Sequence, residues 1–498
     1  MRQILHIFRK DARHFWPYAA VVAGLTAMLA YLDPQTTPFY HPWSASQIVE
    51  VLHIVLVLAW WFTIAAVVHD ETPAGDRQFW LTRPYSRLSI VAAKALFVLV
   101  FLTLPLVAAD CVILSAKGFA PLALAPAMLW RQCAIAAVLL VPPFAFAALT
   151  RDLRQFVLAV LLIAVALSAA TEFDVDYTHG SMLLRGLAPS LPFGELWRAW
   201  DFWQDALWPA GFLLLAVWQY ARRRTVAGRC LAAACLLLTF LPNPWSSLAA
   251  SLALGKSAAA AGAYPGVRIE FVAGRHYDGP SSSDVILSGQ GNEEKEQVRI
   301  PIQALGRDAD LLDVYPVSVA IVPPAGEPWH AGWTMPGRDW MVLRFDSPTL
   351  QRLSAGRVTL HAVFDVVVDE TVSSVRFRPS SLWHTVPGLG AVKMEWLYGE
   401  YPYLIRRMPL RRDVAKWRYT AETPGGAVVH REENGSGVTG PLDFALSPVN
   451  EFAGMANGRY GARLPPGAEI VFTVKRPIAA IRRDLVIPDL RLADYIVR

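Results

Sequence analysis

The chain has 498 residues, a formal net charge of +5, 54% hydrophobic residues and 17% charged ones. So apolar a composition excludes a disordered protein, and the four cysteines (Cys111, Cys133, Cys230 and Cys235) leave none for a disulfide framework in the second half. The basic excess lies before Trp245, in the apolar half, where positive charge has a topological use; it does not point to nucleic acid.

Residues 1–16 open the chain. On a helical wheel Ile4, Leu5, Phe8 and Phe15 group against Arg2, Arg9 and Arg13, which predicts an amphipathic interfacial helix leading into an uncleaved span. Residues 17–246 carry recurrent apolar runs. A hydrocarbon core of about 30 Å takes roughly 20 apolar residues as a helix, because unpaired backbone groups cannot be left in lipid. The candidate spans are Pro17–Leu32, Val51–Val68, Leu88–Ala109, Met128–Leu149, Gln155–Ala170, Leu207–Tyr220 and Arg229–Phe240. They predict an α-helical polytopic membrane domain of six to seven transmembrane helices, with Pro142 and Pro143 kinking the fourth. The cysteines are expected as small buried thiols.

Orientation follows from Lys and Arg. With the N-terminus inside, the inner segments hold Arg2, Arg9, Lys10, Arg13, Arg77, Arg83, Arg87, Lys94, Arg151, Arg154, Arg222, Arg223, Arg224 and Arg229. The outer side keeps Lys117, Arg131, Arg185 and Arg198. Seven spans would place the tail outside the cytoplasm; six would place it inside.

The loop from His69 to Arg87 then faces the cytoplasm. Thr72 can cap a short helix with Pro73 as its first residue and Asp76 near its positive end, while Pro84 disfavours helix at Arg83. Phe79 and Trp80 make the loop unusually apolar, suited either to docking a soluble partner or to anchoring in the interface. Lys94 is expected to snorkel to the inner surface.

The pattern of Glu71, Gly75, Asp76, Trp80, Arg83, Pro84, Arg87 and Lys94 resembles the cytoplasmic coupling segment of bacterial ABC-2-type transporter permeases. The stretch from Phe8 to Arg13 is similar to the elbow helix that opens such permeases. The resemblance implies a multi-pass protein of the bacterial inner membrane, working as a homodimer or heterodimer with a separate ABC ATPase subunit. It also implies that Glu71, Gly75, Asp76, Arg77, Phe79, Trp80, Arg83, Pro84 and Arg87 form the ATPase-coupling loop. Trp197, Trp200 and Trp203 fall where the family keeps short helices near the outer exit; an interfacial Trp belt is the competing reading. A seventh span and a long tail depart from the family, so no substrate is implied.

Chemistry of its own is not expected. Gly255-Lys256-Ser257 ends like a P-loop, but Ala250 stands where a glycine is required. There is no His-Glu-x-x-His helix and no Gly-x-Ser-x-Gly elbow, so neither catalytic residues, nor a metal, nor a cofactor are assigned. Glu172, Asp174 and Asp176 read as an exposed acidic loop, and Asp110 as an acid solvated near the outer interface.

Residues 247–265 read as a linker. Residues 266–498 read as an all-β, sandwich-like extracytoplasmic domain, possibly in two subdomains split near Pro379–Gly390. Its expected strands include Val267–Val272, Gln297–Ile302, Val314–Val322, Trp340–Phe345, Arg357–Val368, Val372–Phe377, Ala391–Leu397, Trp417–Thr420 and Glu469–Lys475, with Ser281–Ser283 and Glu432–Gly437 as loops. The leading expectation is an exporter permease subunit. The rival is a membrane-anchored binding or scaffold protein whose β domain is the active part.

Overall fold

The computed structural model describes residues 2–36, 45–71, 86–172, 210–222, 225–240, 264–276, 296–306, 311–330, 334–335, 340–387, 389–397, 401–410, 415–426, 428–436, 447–455, 464 and 466–497. The chain divides into two units. The first takes Met1–Val175, Trp200–Asn243 and Ser373–Val474; the second takes Asp176–Ala199, Pro244–Val372 and Lys475–Arg498.

The helices of the first unit are α1 (Arg2–His14), α2 (Trp16–Leu32), α3 (Ala45–His69), α4 (Arg87–Ala116), α5 (Pro121–Leu149), α6 (Leu153–Glu172), α7 (210–222) and α8 (Thr225–Phe240). The described residues of each of the seven apolar runs are therefore helical. Among the described residues, α3, α4 and α5 are long and apolar enough to cross a membrane, and α1 with α2 makes a fourth candidate bent by 74°. Leu153–Leu162 and Thr225–Cys235 are shorter apolar stretches. Val22, Leu29, Leu56, Trp60, Ile64, Phe97 and Ile113 form the helical core. The outward faces carry Val21, Met28, Val51, Ile54, Leu58 and Leu129, apolar as a hydrocarbon-facing surface must be.

The expected kink at Pro142 and Pro143 takes another form. A π-turn at Ala136–Leu140 comes just before the two prolines, and α5 continues as one element. Pro143 cannot donate to the Leu139 carbonyl; the indole Nε1 of Trp61 on α3 donates to it instead, at 2.9 Å. A second π-turn, Leu99–Thr103, precedes Pro105 in α4. Gly118, at φ +86°, ends α4: Phe119 N donates to Leu114 O at 2.9 Å and Gly118 N to Ser115 O at 3.1 Å.

The first unit also holds the strands β8 (His384–Val386), β9 (Gly390–Leu397), β10 (Tyr401–Pro409) and β13 (Val449–Met455), ordered β13-β10-β9-β8 and antiparallel at every pairing. Facing them are β11 (Ala415–Glu422) and β12 (Val428–Ser436), with the ends of β7 (Val358–Phe377) and β14 (Glu469–Leu490). Val392, Met394, Leu404, Trp417, Tyr419, Ile470 and Phe472 share one core between the two sheets. Gly390, at φ +137°, lets β9 approach β10 closely, since a Cβ there would lie 2.1 Å from Arg407 O.

In the second unit, β1 (Arg268–Phe271), β2 (Glu296–Leu305), β5 (Thr334–Met335) and β6 (Trp340–Phe345) form a sheet of order β1-β2-β6-β5. With β3 (Leu312–Val322), β4 (Trp329–His330), β7 and β14 it encloses Val298, Ile300, Leu343, Phe345, Leu360, Phe364 and Ile481. Among the described residues the β region thus holds three sheets enclosing two apolar cores, and a short helix, α9 (Ser347–Ser354), buries Leu350 and Leu353.

Four expectations need correction. Arg357–Val368 and Val372–Phe377 are one strand, β7. Residues Glu432–Ser436 are strand, not loop: β12 lies at a sheet edge, where a polar sequence is tolerated. The cysteines are free, but Cys133 and Cys230 are exposed on helix surfaces. Asp110 is buried, its Oδ2 accepting from Arg131 and, at 2.7 Å, from Gln132 Nε2.

Candidate coupling site

The apolar face of α1 contains one acid, Asp11, beside Ile7. An acid there needs a cation, and α4 supplies one from inside its own apolar run. Lys94 Nζ lies 2.8 Å from Asp11 Oδ2, and both side chains are 0% exposed. Lys94 therefore turns inward rather than snorkelling. Its ammonium also meets Glu71 Oε2 at 3.3 Å, just beyond the end of α3.

Lys10 completes the cluster, donating to Glu71 Oε1 and Asp70 Oδ2, each at 2.7 Å, and lying 3.4 Å from Asp11 Oδ1. Burial opposes the charge on Lys10, but its hydrogen bonds to Asp70 and Glu71 prevail and raise its pKa. Burial likewise works against the Glu71 carboxylate, and the charge of Lys94 with the Lys10 hydrogen bond holds its pKa below the ordinary value. Asp70 is lowered in the same way, the Lys10 hydrogen bond overcoming burial. Three carboxylates and two ammoniums thus lock together the end of α3, the start of α4 and helix α1.

These groups bracket residues 72–85. Glu71 is the last described residue before that segment, and Ser86 follows it as the cap of α4, accepting from Ser89 N at 3.1 Å. Arg87 donates to the carbonyl of Ala221 on α7. His69 Nε2 is 3.0 Å from Thr150 Oγ1, tying the end of α3 to the end of α5. Of the expected coupling residues, the structure brings Glu71 and Arg87 to the two flanks of one segment. Gly75, Asp76, Arg77, Phe79, Trp80, Arg83 and Pro84 lie outside the described residues, as do Trp197, Trp200 and Trp203, the Gly255-Lys256-Ser257 stretch and most of the 247–265 linker.

The opposite end of α4 has its own ion network. Lys117 Nζ, on a side chain 1% exposed, lies 3.4 Å from Asp33 Oδ1, 3.1 Å from Glu451 Oε1 and 3.3 Å from Thr36 Oγ1. Arg407 Nε donates to the same Glu451 oxygen at 2.6 Å, with its guanidinium 3.9 Å from the ring centroid of Trp383. Leu410 and Val449, from the β region, join the apolar core of the helices. Sequence reasoning missed Asp11, Lys10, Asp33 and Glu451 as partners. Only the first left a signal, an acid on the apolar side of an amphipathic wheel. Among the described residues no group of three or more His, Cys, Asp or Glu side chains is arranged to hold a metal ion.

No family model, curated protein or solved structure matches this chain.

Proposed function

We propose that the chain is the membrane subunit of an ABC-2-type exporter, converting ATP hydrolysis on a separate subunit into movement of its helices. One observation carries the reading: the ion network of Lys10, Asp11, Asp70, Glu71 and Lys94, whose buried members are Asp11, Glu71 and Lys94, beside the flanks of residues 72–85. A segment that receives force from a partner must not swing on its own hinges. Desolvated, hydrogen-bonded ion pairs supply that stiffness, because one member cannot leave without stranding the other. Arg77, Phe79, Trp80 and Arg83 would meet the ATPase, and Arg87 and Lys94 would pass its displacement into α4. The segment and α1 would face the cytoplasm of a bacterial inner membrane, and the β region the other side, in a dimer of such chains.

A rival reading makes the β region an independent binding or scaffold module on a passive anchor. The buried Lys117–Glu451 bridge, with Leu410 and Val449 packed into the helical core, favours the coupled reading. Purification of the full chain with an ATPase bearing a complete P-loop tests the proposal. Trp80→Ala with Arg83→Ala is expected to abolish co-purification while leaving the permease folded. Full function from a preparation that contains no ATPase would refute it.

A further inference from the structure

We propose that the basic face of α1 is a binding groove for the phosphate of an anionic phospholipid headgroup. The face is built by helical spacing: His6, Arg9, Lys10, Arg13 and His14 line one open groove of about 420 Å³ along α1. Lys10 is held by Asp70 and Glu71, which fixes the floor. Arg9 and Arg13, one turn apart and exposed, have no carboxylate partner among the described residues. Two guanidiniums at that spacing present the fork of donors that matches phosphate oxygens.

The surroundings select a lipid over a soluble phosphate. α1 turns 74° from the apolar α2, and an amphipathic helix set at such an angle suits the plane of a membrane surface. Exposed apolar side chains accompany the basic face, Leu5 at 57% on α1 and Trp16 at 63% at the start of α2, which acyl chains and the interface would cover. Arg87, Arg151, Arg154 and Arg222 are exposed in the segments that flank the same ends of α3–α8, adding a general attraction for anionic lipid. The groove adds a local one. The inference rests on the membrane reading but not on the exporter assignment, so the ATPase experiment can fail without touching it, and the reverse.

The test is native mass spectrometry of the full chain, exchanging detergent-bound phosphatidylcholine for phosphatidylglycerol at physiological salt. Retained phosphatidylglycerol is expected to fall in Arg9→Gln and Arg13→Gln by clearly more than the roughly fivefold per arginine that a generic juxtamembrane charge supplies. Arg151→Gln with Arg154→Gln, which remove charge from the same end outside the groove, should lose no more than that generic share. Arg9→Lys with Arg13→Lys keeps charge and fold and should lose part of the preference, as the fork is replaced by point charges. Equal losses in the groove and control variants would reduce the effect to uniform surface attraction and overturn the proposal. So would displacement of the lipid by millimolar inorganic phosphate, which would make free phosphate the ligand. Unchanged lipid retention in the glutamine variants, with loss of a bound ATPase instead, would reassign the groove to a protein.

Discussion

Asp11 and Lys94 show how much one residue can commit a fold. Each is wholly buried, and removing either partner strands a charge in the helical core. Lys94→Met is expected to destabilise the chain by about 3–5 kcal/mol, whereas Lys94→Met with Asp11→Leu should recover much of that loss. Thermal unfolding in detergent separates the two; equal losses would mean that the ion pair carries no specific weight. The cluster also sets a pH window. Asp70 and Glu71 have lowered pKa values, so their contribution is complete above the ordinary carboxylate range and is lost as pH falls through the lowered values. Lys10 is raised, so its contribution is complete below the ordinary lysine value and is lost only as pH rises through the higher one. The opening of α1, read as its hydrogen-exchange rate relative to the intrinsic amide rate at each pH, should therefore stay flat through neutrality and rise below about pH 4. The rise should start from a higher baseline in Lys10→Gln. An unchanged baseline in that variant would remove Lys10 from the lock. The sequence showed Asp11 and Lys94 as charges among apolar residues but not as a pair, since 83 positions separate them.

At the scale of elements, the π-turn of α5 is the clearest case of tertiary structure repairing a local fault. Pro143 deprives Leu139 O of a donor, and Trp61 on a different helix replaces it. Trp61→Phe should cost about 1–3 kcal/mol in a chain that retains Pro143, because the carbonyl is left bare in an apolar interior. In a Pro143→Ala background the alanine N–H can serve Leu139, and the same substitution should cost less. A double-mutant cycle on unfolding checks this, and additivity of the two changes would refute it. The apolar runs told where the helices lie because lipid-facing and core-facing positions are both hydrophobic, which is a strong and simple signal. The strands were harder. β7 serves one core up to Val368 and another from Phe377, so its apolar alternation breaks midway and reads as two segments. β14 continues past Lys475 to Leu490 through Pro477 and Pro488, residues that argue against strand in isolation. β12, at its sheet edge, carries a polar sequence that resembles a loop.

The first unit as a whole is organised around α4, with one buried lysine in its second turn and another just past its end. Lys94 and Lys117 stand about 35 Å apart at 1.5 Å per residue. The first is bonded to α1 and to the base of the 72–85 segment, the second to Asp33 and to Glu451 on β13. A continuous helix with fixed attachments at both ends transmits displacement better than one hinged at either. The attachment at the Lys117 end can be tested directly. Glu451→Gln removes the charge that Lys117 and Arg407 share but leaves Lys117 its contact with Asp33, so the helices should remain folded. Hydrogen exchange is expected to rise along β10 and β13, the strands that bear Arg407 and Glu451, and to stay constant in β2 and β6 of the second unit. Spatial continuity alone does not establish coupling between the two ends. A cycle of Glu71→Gln and Glu451→Gln measures it: an interaction free energy of about 0.5–2 kcal/mol would mean that the two networks bias one shared arrangement of α4. Additivity to within about 0.3–0.5 kcal/mol would mean that each end of the helix is held for its own sake, and the β region would then ride on the helices without being driven by them.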